Sequence, residues 1–599
     1  MGVMLQAAIR FKPGHTVPSP YDGDPSVPWW WDHIASQVNS FRQAGFTAVL
    51  LPPATKSNAG AFVGADGYGA YDDYDIGSKN QFYSVPTRFG RREQLQRCTA
   101  IMRANGLDVY ADFVAHQRMG GNNGIYRYLG ADGKTKNGRF PKDPGCFLGD
   151  SGGRVPRDPI AGPVEFDYAF GDELCPVNAV PKDYVMNGLI DAGDWLTRSL
   201  DLQGYRIDDT KGLAVEFVST FLNSKSMHNK FAVGEYFDGN PDTLNWWVYH
   251  SGMNGRSATF DFQTHFALYD MCNNTSKWDM RRLQGSGYFR RDPSAAVTFV
   301  ENMDTDTDGF SSVIWNKILG YAYILTNEGY PCVYYRDYAT DPGCYGLKSL
   351  IDNLIWIHEH LASGHTVSRY ADFQSYVYER IGGTGLLVGL HNDRWNGWKT
   401  VRVQTSFGSN VQLHDYTGNA SDVWTDNWGW VTIALPPNNN GTGYVCYSRI
   451  MQNAPNLVHT HETNQMFEGA DDLDIPSANN ATSVNVCRIW CQAGTKLILR
   501  SVFDRTNFTT DSSMVMIVVD PGQTIFHESQ SNELIATVIT SGWHQISITG
   551  TALPDTGTLP YKIYTTYTST HNLNEKDFVS YMDTPVKKPV TPLSSSIKR

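Results

Sequence analysis

Residues 204–211 read Gly-Tyr-Arg-Ile-Asp-Asp-Thr-Lys, a short apolar run that ends in charged side chains. Such a run is typical of a strand that is buried in a sheet and carries polar residues only at its end. Similar runs recur along the chain, and eight of them occur before residue 336. They cover residues 3–9, 46–51, 107–114, 204–208, 231–236, 258–262, 296–302 and 330–335.

Stretches with helical periodicity separate these runs, for example residues 29–44, 91–105 and 185–200. Strands that alternate with helices pair in parallel through right-handed crossovers. Eight such units predict an α/β protein built on a (β/α)8 TIM barrel. The alternative is an open, doubly wound sheet, because the same alternation of strands and helices also produces that fold.

The remaining segments divide the chain further. Residues 116–182, after the third strand, are rich in Gly, Pro and Asp, and a structureless loop of that length is uncommon, so we predict an inserted subdomain. Short strand patterns with turn residues between them follow the barrel at residues 385–391, 399–404, 411–415 and 429–434, as in an antiparallel β domain. The predicted divisions are 1–115 and 183–368 for the barrel, 116–182 for the inserted subdomain, 369–450 for the antiparallel β domain, 455–570 for a further β-sandwich and 571–599 for a tail or linker.

Charge and hydropathy exclude two classes of partner. The net charge is −12, whereas nucleic-acid binding requires clustered Lys and Arg that displace counterions, so we expect no nucleic acid. No apolar run approaches the roughly 20 residues of a membrane helix, so we expect no membrane span. The first residues, Met-Gly-Val-Met-Leu-Gln, lead directly into a strand pattern, and we expect no signal peptide in this chain.

Nine cysteines are spread along the chain without the spacing of a metal site. Their odd number leaves at least one outside any internal disulfide. Cys146 and Cys175 lie within the predicted inserted subdomain, where they either bridge or remain buried thiols. The sequence leaves both possibilities open.

Carboxylates stand at the ends of three predicted barrel strands, where barrel enzymes carry their catalytic groups. Because a strand alternates its side chains, Arg206 and Asp208 share one face and Asp209 lies on the other. A carboxylate beside a fixed guanidinium is held ionised, as the nucleophile of a retaining glycosidase must be. The fifth strand ends in Glu235 and the seventh in Asp304, which completes a set of three acids.

These motifs resemble those of glycoside hydrolase family 13, the α-amylase family, over roughly residues 1–450. The segment 204–211 looks like the family's strand-4 motif, and 322–331 is similar to the liquefying-type bacterial amylases. The resemblance implies that Asp208 is the nucleophile, Glu235 the general acid/base and Asp304 the residue that stabilises the transition state. It also implies an α-glucan substrate, and we expect an extracellular enzyme that is a monomer.

The resemblance also implies a set of substrate contacts. Residues 66–72, Asp-Gly-Tyr-Gly-Ala-Tyr-Asp, resemble the segment whose first tyrosine stacks on the sugar being cleaved, which points to Tyr68. Arg206 and Lys211 of the strand-4 motif and Asn302 of the strand-7 motif are further expected contacts.

Two of the expected contacts depart from the family. Its third strand ends in Asn-His, where this chain has His116 and Gln117, and its Asn-His-Asp motif reads Asn302, Met303 and Asp304. Both histidines that would bind the sugar at the cleavage point are therefore replaced. Gln117 still donates a hydrogen bond, but Met303 does not. The histidine that follows the strand-4 lysine in the family is Gly212 here.

The calcium site that the resemblance implies also looks degraded. The family's asparagine ligand aligns with His116, and a nitrogen ligand suits a hard, oxygen-seeking cation poorly. The inserted motif that normally supplies an aspartate reads Leu-Cys-Pro-Val-Asn at residues 174–178. We therefore expect no calcium at the usual position and no certain cofactor, and leave open a calcium elsewhere in the chain.

The predicted activity is hydrolysis of α-glucosidic linkages, chiefly α-1,4, in starch-like glucans by double displacement with retention. A transglycosylase would use an acceptor sugar in place of water. The replaced histidines also allow a glucan-binding protein with weakened turnover, or a pocket adapted to a modified sugar. In the last β-sandwich, Trp490 and Trp543 are either a sugar-binding platform or core residues.

Overall fold

The computed structural model describes residues 2–9, 17–130, 133–149, 151–156, 171–250, 252–308, 311–450, 460–469, 482–503, 513–522, 525–551 and 561–570. The predicted tail at 571–599 lies outside the described residues, as does the segment 157–170 of the predicted inserted subdomain. The domain divisions taken from the sequence stay predictions.

Eight parallel strands close into a barrel, which confirms the predicted fold. In chain order they are β1 Met4–Gln6, β2 Ala48–Leu51, β3 Asp108–Phe113, β4 Gly204–Ile207, β5 Phe231–Gly234, β6 Ala258–Phe260, β7 Ala296–Phe299 and β8 Tyr330–Tyr334. Each strand pairs with its predecessor and successor, and β8 pairs with β1. The open, doubly wound alternative is therefore wrong.

One long helix follows each strand and packs on the outside of the barrel. The helices are α1 Trp30–Ala44, α2 Arg92–Ala104, α3 Tyr184–Leu200, α4 Val215–Leu222, α5 Pro241–Tyr249, α6 Phe262–Asn273, α7 Lys317–Thr326 and α8 Lys348–Leu361. In α1 the buried residues include Ile34, Val38 and Phe41 at helical spacing, so one face packs on the strands. The helix ends at Gly45, whose φ of 105° is the left-handed conformation of a C-cap.

The alternation of strand side chains separates the barrel interior from the layer under the helices. Met4, Leu50, Tyr110, Val233 and Phe299 belong to one buried cluster inside the barrel. Their neighbours along the strands belong to the larger cluster that includes the helices. Asp112 follows Tyr110 by two residues in β3, so its side chain also points into the barrel, near the carboxyl end of the strands. It lies in register with Arg206 of β4.

Short hairpins cover that end of the barrel. Strand Lys56–Ser57 pairs with Ala70–Asp72, and Gln117–Arg118 pairs with Asp172–Glu173 across the predicted inserted subdomain. Asp73 forms two ion pairs. Its Oδ2 lies 2.7 Å from Lys142 Nζ, and its Oδ1 pairs with the Arg118 guanidinium. These buried ion pairs tie the hairpins together, because an unpaired charge at such a site would be costly.

The strands that follow the barrel form a six-stranded antiparallel sheet and a two-stranded sheet. They are β9 His365–Ala371, β10 Ser375–Ile381, β11 Leu386–His391, β12 Lys399–Gln404, β13 Gln412–Asp415, β14 Val423–Trp424, β15 Trp430–Leu435 and β16 Tyr444–Ser448. The two-stranded sheet consists of β12 and β15. Because β9 begins at His365, the division predicted after residue 368 falls inside this strand.

Two four-stranded antiparallel sheets make up the last part, as in a β-sandwich. Their strands are β17 Thr460–Gly469, β18 Thr482–Cys491, β19 Lys496–Phe503, β20 Ser513–Val519, β21 Ile525–Ser529, β22 Glu533–Thr537, β23 Gly542–Thr551 and β24 Tyr561–Thr570. Strand β17 lies against α2 and α3, where the Trp195 indole donates to Glu468 Oε2 at 2.8 Å. Trp490 and Trp543 face each other in register and both are half-buried.

The nine cysteines all lie within the described residues and all are free thiols, so Cys146 and Cys175 form no disulfide. Backbone hydrogen bonding joins them instead, with the Cys175 amide donating to the Cys146 carbonyl at 2.9 Å. None of the helices in the described part of the chain is long and apolar enough to cross a membrane.

Candidate active site

One buried guanidinium organises the carboxyl ends of β3, β4 and β5. Arg206 Nη1 lies 2.7 Å from both Asp112 oxygens and 2.9 Å from Asp208 Oδ1. Its other terminal nitrogen, Nη2, lies 2.6 Å from Glu235 Oε2. Arg206 is only 1 % exposed. The structure therefore brings the predicted Asp208 and Glu235 to opposite terminal nitrogens of a single cation.

Three carboxylates share this one cation, and burial makes the excess negative charge costly. Burial is the main cause that raises the pKa of Asp208 to about 7, aided by the Asp112, Asp209 and Asp304 charges and opposed by Arg206. Burial likewise raises the pKa of Glu235 to about 7, again against the guanidinium. The pKa of Asp112 rises to about 6 for the same reasons. The group therefore takes up a proton near neutral pH.

Asp304 lies in the turn after β7, close enough for its charge to raise the pKa of both Asp208 and Glu235. The Asn302 side chain shapes this turn, because its Oδ1 accepts hydrogen bonds from the Asp304 and Thr305 amides at 2.9 and 2.8 Å. Glu301 points elsewhere and bonds the Thr305 hydroxyl and the Val313 amide. Asp304 is thus the acid of this segment that joins the cluster.

Tyr68 closes one side of the cluster. Its hydroxyl donates to Asp112 Oδ2 at 2.7 Å, and the Arg206 guanidinium carbon lies 5.6 Å from its ring centroid. The residues at the two replaced histidine positions both contact Tyr68. Gln117 Nε2 donates to the Tyr68 carbonyl at 3.1 Å, and Met303 Sδ accepts from the Tyr68 hydroxyl at 3.4 Å.

Met303 is 1 % exposed, and its sulfur also accepts a hydrogen bond from Gln6 Nε2 at 3.3 Å. Gln117 is almost as deeply buried. Both buried side chains therefore contact Tyr68, Gln117 at its main-chain carbonyl and Met303 at its hydroxyl.

Lys211 lies in the short turn Thr210–Gly212 that follows β4. Its ammonium is 3.4 Å from Asp238 Oδ2 and 5.3 Å from the Tyr236 ring centroid. Both partners belong to the segment after Glu235. Lys211 therefore connects the ends of β4 and β5 at the edge of the site.

Sequence reasoning missed Asp112, although it contacts both Arg206 and Tyr68. Its signal was present, because an aspartate is rare inside an otherwise apolar strand pattern such as 107–114. Asp112 lies in register with Arg206, so the two side chains meet inside the barrel. The partners of His116 were missed as well, since they come from segments distant in the sequence.

His116 lies between two carboxylates, with Nδ1 2.8 Å from Asp209 Oδ2 and Nε2 3.5 Å from Glu173 Oε1. An ionised carboxylate only accepts hydrogen bonds, so both ring nitrogens carry protons and the ring is a cation. Burial opposes this charge, but the two carboxylates outweigh it and raise the pKa of His116 to about 9. These residues do not fit calcium, because the imidazolium already lies between the oxygens.

Comparison with known proteins finds likenesses to α-amylases. A family model described as "Alpha-amylase C-terminal" matches residues 386–448. The chain is 29% identical over 456 residues to an α-amylase of Geobacillus stearothermophilus, covering 67% of this chain and 81% of that protein. It is 29% identical over 457 residues to a glucan 1,4-alpha-maltohexaosidase of Bacillus sp. (strain 707), covering 67% and 86%.

Solved structures share the architecture. An α-amylase from Geobacillus thermoleovorans in complex with acarbose superposes with a TM-score of 0.54 at 17% identity, over 76% of this chain and 99% of that one. A gamma-CGTase from Alkalophilic bacillus clarkii superposes with a TM-score of 0.56 at 17% identity, over 97% and 95%. The family model and the sequence relatives indicate an α-amylase-type glycoside hydrolase, and the solved structures, at 17% identity, show the shared fold.

Proposed function

We propose that this chain hydrolyses α-1,4-glucosidic linkages of starch-like glucans with retention of configuration. The observation that carries the proposal is the pairing of Asp208 and Glu235 with the two terminal nitrogens of Arg206. Retaining glycosidases need a nucleophile and an acid/base on adjacent sides of the scissile bond, with their carboxyl groups only about 5–5.5 Å apart. Two acids that contact one guanidinium lie near each other, which supports the retaining assignment.

In the first step, Glu235 protonates the glycosidic oxygen while Asp208 attacks the anomeric carbon, so the leaving chain departs as an alcohol. The sugar is then held as an ester of Asp208. In the second step, ionised Glu235 takes a proton from water, which attacks the same carbon and releases Asp208. The sugar leaves with its original configuration, and Glu235 is protonated again.

The shared cation brings the two acids together, while their separate roles are those that the family motifs imply. The cluster takes up a proton near neutral pH, and the reaction needs that proton on Glu235 and not on Asp208. Arg206 contacts both groups, and Asp208 shares its guanidinium nitrogen with Asp112. As positive charge develops on the sugar ring, the negative charges of Asp208 and Asp304 stabilise it. Tyr68, held by Gln117 and Met303, offers its ring as a surface for the same sugar.

The experiment is incubation of the protein with starch, pullulan, dextran and short maltosides, followed by product sizing and by NMR of the first anomer released. We expect oligosaccharides from starch with the α-anomer formed first. A first-formed β-anomer would contradict the retaining mechanism. Transfer to an added acceptor sugar in preference to water would identify a transglycosylase, and binding without turnover would identify a glucan-binding protein.

We further propose that the His116 imidazolium takes the place of the family's calcium. The cation connects Glu173, in the hairpin strand Asp172–Glu173, with Asp209, the residue after Asp208. It thereby positions the loop that carries the nucleophile without a bound metal. The Asp209 amide in turn donates to Glu235 Oε2 at 3.3 Å, so the loop also contacts the acid/base.

The test of this metal proposal is activity and thermal unfolding of metal-depleted protein, with and without added calcium. We expect neither kcat nor the unfolding midpoint to change on chelation. Complete loss of activity that calcium reverses would contradict the proposal. A change in the midpoint alone would place a calcium site elsewhere in the chain.

A further inference from the structure

Exposed tryptophans gather in one part of the molecule outside the barrel. Of the seven exposed tryptophans among the described residues, five lie between residues 395 and 430. They are Trp395, Trp398, Trp424, Trp428 and Trp430. Large apolar rings exposed as a group on a soluble protein mark a binding surface more often than scattered single residues do.

Two of these rings lie at opposite ends of one open sheet face. Strands β12 and β15 pair antiparallel with Thr400 opposite Ala434, Arg402 opposite Thr432 and Gln404 opposite Trp430. The alternate residues Val401, Val403, Val431 and Ile433 are buried in the core beneath. The outer face therefore carries threonine hydroxyls in its middle and Trp430 at one end.

A cleft of about 520 Å³ lies over the other half of this face. Its floor includes Thr400 and Thr432, its wall is the loop 418–422 between β13 and β14, and Trp398 lines its end. Trp398 is 57% exposed. The wall is ordered, since Asp422 accepts hydrogen bonds from Gln412 and His414 at 2.9 and 2.7 Å. Polar groups and an aromatic platform thus share one concave surface.

The ring at the other end is also held in place. The Arg402 guanidinium carbon lies 5.2 Å from the Trp430 ring centroid, and its Nη2 donates to Asp426 at 2.8 Å. Asp426 Oδ1 accepts the amides of Trp428 and Trp430, each at 2.9 Å. An aromatic ring fixed in this way loses little conformational entropy when a ligand stacks on it.

We propose that this face, from Trp398 to Trp430, binds a chain of an α-glucan as a site separate from the barrel. Six residues of extended strand lie between the two positions, roughly 20 Å at about 3.4 Å per residue. That span suits a linear polymer and exceeds a single sugar unit. The rings stack on the apolar faces of sugars, while Thr400 and Thr432 bond their hydroxyls.

The chemistry of the face favours a neutral, hydroxyl-rich ligand. Asp422, Asp426 and Arg402 are already paired with one another or with neighbours, so the face presents no unpaired charge for an ionic partner. The net charge of −12 also disfavours an anionic polymer. The inference rests on the proposed function, because the ligand would be the substrate polymer.

The experiment measures binding to insoluble starch granules in an Asp208→Asn background, so that the granules are not digested. In that background, Trp398→Ala combined with Trp430→Ala should weaken binding about tenfold, which corresponds to about 1.4 kcal/mol. In the otherwise native enzyme the same pair should leave kcat on a short maltoside unchanged. Trp395→Ala, which removes a more exposed ring that does not line the cleft, is the control.

Unchanged starch binding in the double variant would overturn the proposal, and so would an equal loss in the Trp395→Ala control. Trp398→Phe with Trp430→Phe keeps the aromatic faces, and we expect it to retain most of the binding if the double alanine variant is folded. Failure of the proposed function is a different result, since the native enzyme would then cleave no α-glucan of any length.

Discussion

The imidazole of His116 fills the space that a side chain at position 212 would need. A Cβ built on Gly212 would lie 2.5 Å from His116 Nε2, well inside van der Waals contact. The two departures from the family motifs, a histidine at 116 and a glycine at 212, are therefore parts of one rearrangement. A histidine at 212 and the imidazolium at 116 cannot occupy this site together.

This relationship predicts a cost for adding a methyl group. Gly212→Ala should lower the free energy of unfolding by about 1–3 kcal/mol, because the Cβ forces the buried imidazole to move. His116→Asn has a shorter side chain, so the same alanine should cost less in that background. A denaturant-unfolding cycle over the four proteins measures the coupling. Gly285→Ala is the control, since its Cβ would meet nothing within 4 Å.

The charge on His116 makes stability depend on pH. Its folded-state pKa of about 9 exceeds the ordinary 6.5, so the stabilisation is complete below about pH 6.5 and is lost as pH rises through about 9. The shift corresponds to about 3 kcal/mol. The free energy of unfolding of His116→Gln should therefore be lower than that of the native protein near pH 6. This difference in free energy should become smaller by about pH 10. A difference in free energy of unfolding that does not change with pH would show that Asp209 and Glu173 do not hold a cation.

The roles proposed for Asp208 and Glu235 can be separated by the leaving group. Glu235→Gln should lower kcat on maltosides by about a hundred- to ten-thousand-fold, as loss of a general acid does. A glycosyl fluoride needs little protonation to leave, so this variant should still release fluoride in a burst. Asp208→Asn should give no burst with either substrate. Equal loss on both substrates by Glu235→Gln would contradict its assignment as the acid.

Asp112, Asp208 and Glu235 all pair with Arg206, and this shared pairing should determine how kcat/KM depends on pH. In the proposed mechanism, activity needs ionised Asp208 and protonated Glu235, and burial raises the pKa of each to about 7. Asp112→Asn removes a negative charge and frees the guanidinium, so both pKa values should fall. The alkaline limb of kcat/KM on a neutral maltoside should then move to lower pH. An unmoved limb would mean that the cluster does not titrate as a unit.

The replaced histidines lead to a prediction about turnover. Met303→His should raise kcat on starch-like glucans by about tenfold or more, because a hydroxyl gains its partner in the transition state. Met303→Leu, which adds no donor, should give no gain. The measurement is kcat and KM on a panel of α-glucans, including the variant that also carries Gln117→His. No gain on any glucose polymer would contradict the view that the missing donor at position 303 limits turnover.

The barrel could be predicted from the sequence because its signal is local and repeated. Each buried strand, such as 204–208, is a short apolar run, and each run is followed by a helix with its own periodicity. The antiparallel strands β11, β12, β13 and β15 were also predicted within one residue at each end, since turn residues separate them. Strands β9 and β10 were not predicted, because their half-polar pattern resembles a continuation of the helix-rich region.

The sequence by itself determined the identities of the acids at the strand ends, because strand parity decides that Asp208 faces the barrel interior with Arg206 and that Asp209 faces away. Only the tertiary structure decided what surrounds them. Asp112 reaches Arg206 across β3 and β4, and Glu173 reaches His116 from the far end of the inserted segment. Such contacts depend on register between distant segments, and the strength of a charge in a protein depends on burial and on its partners in space. The spacing of residues in the sequence gives neither the register between distant segments nor the burial of a side chain.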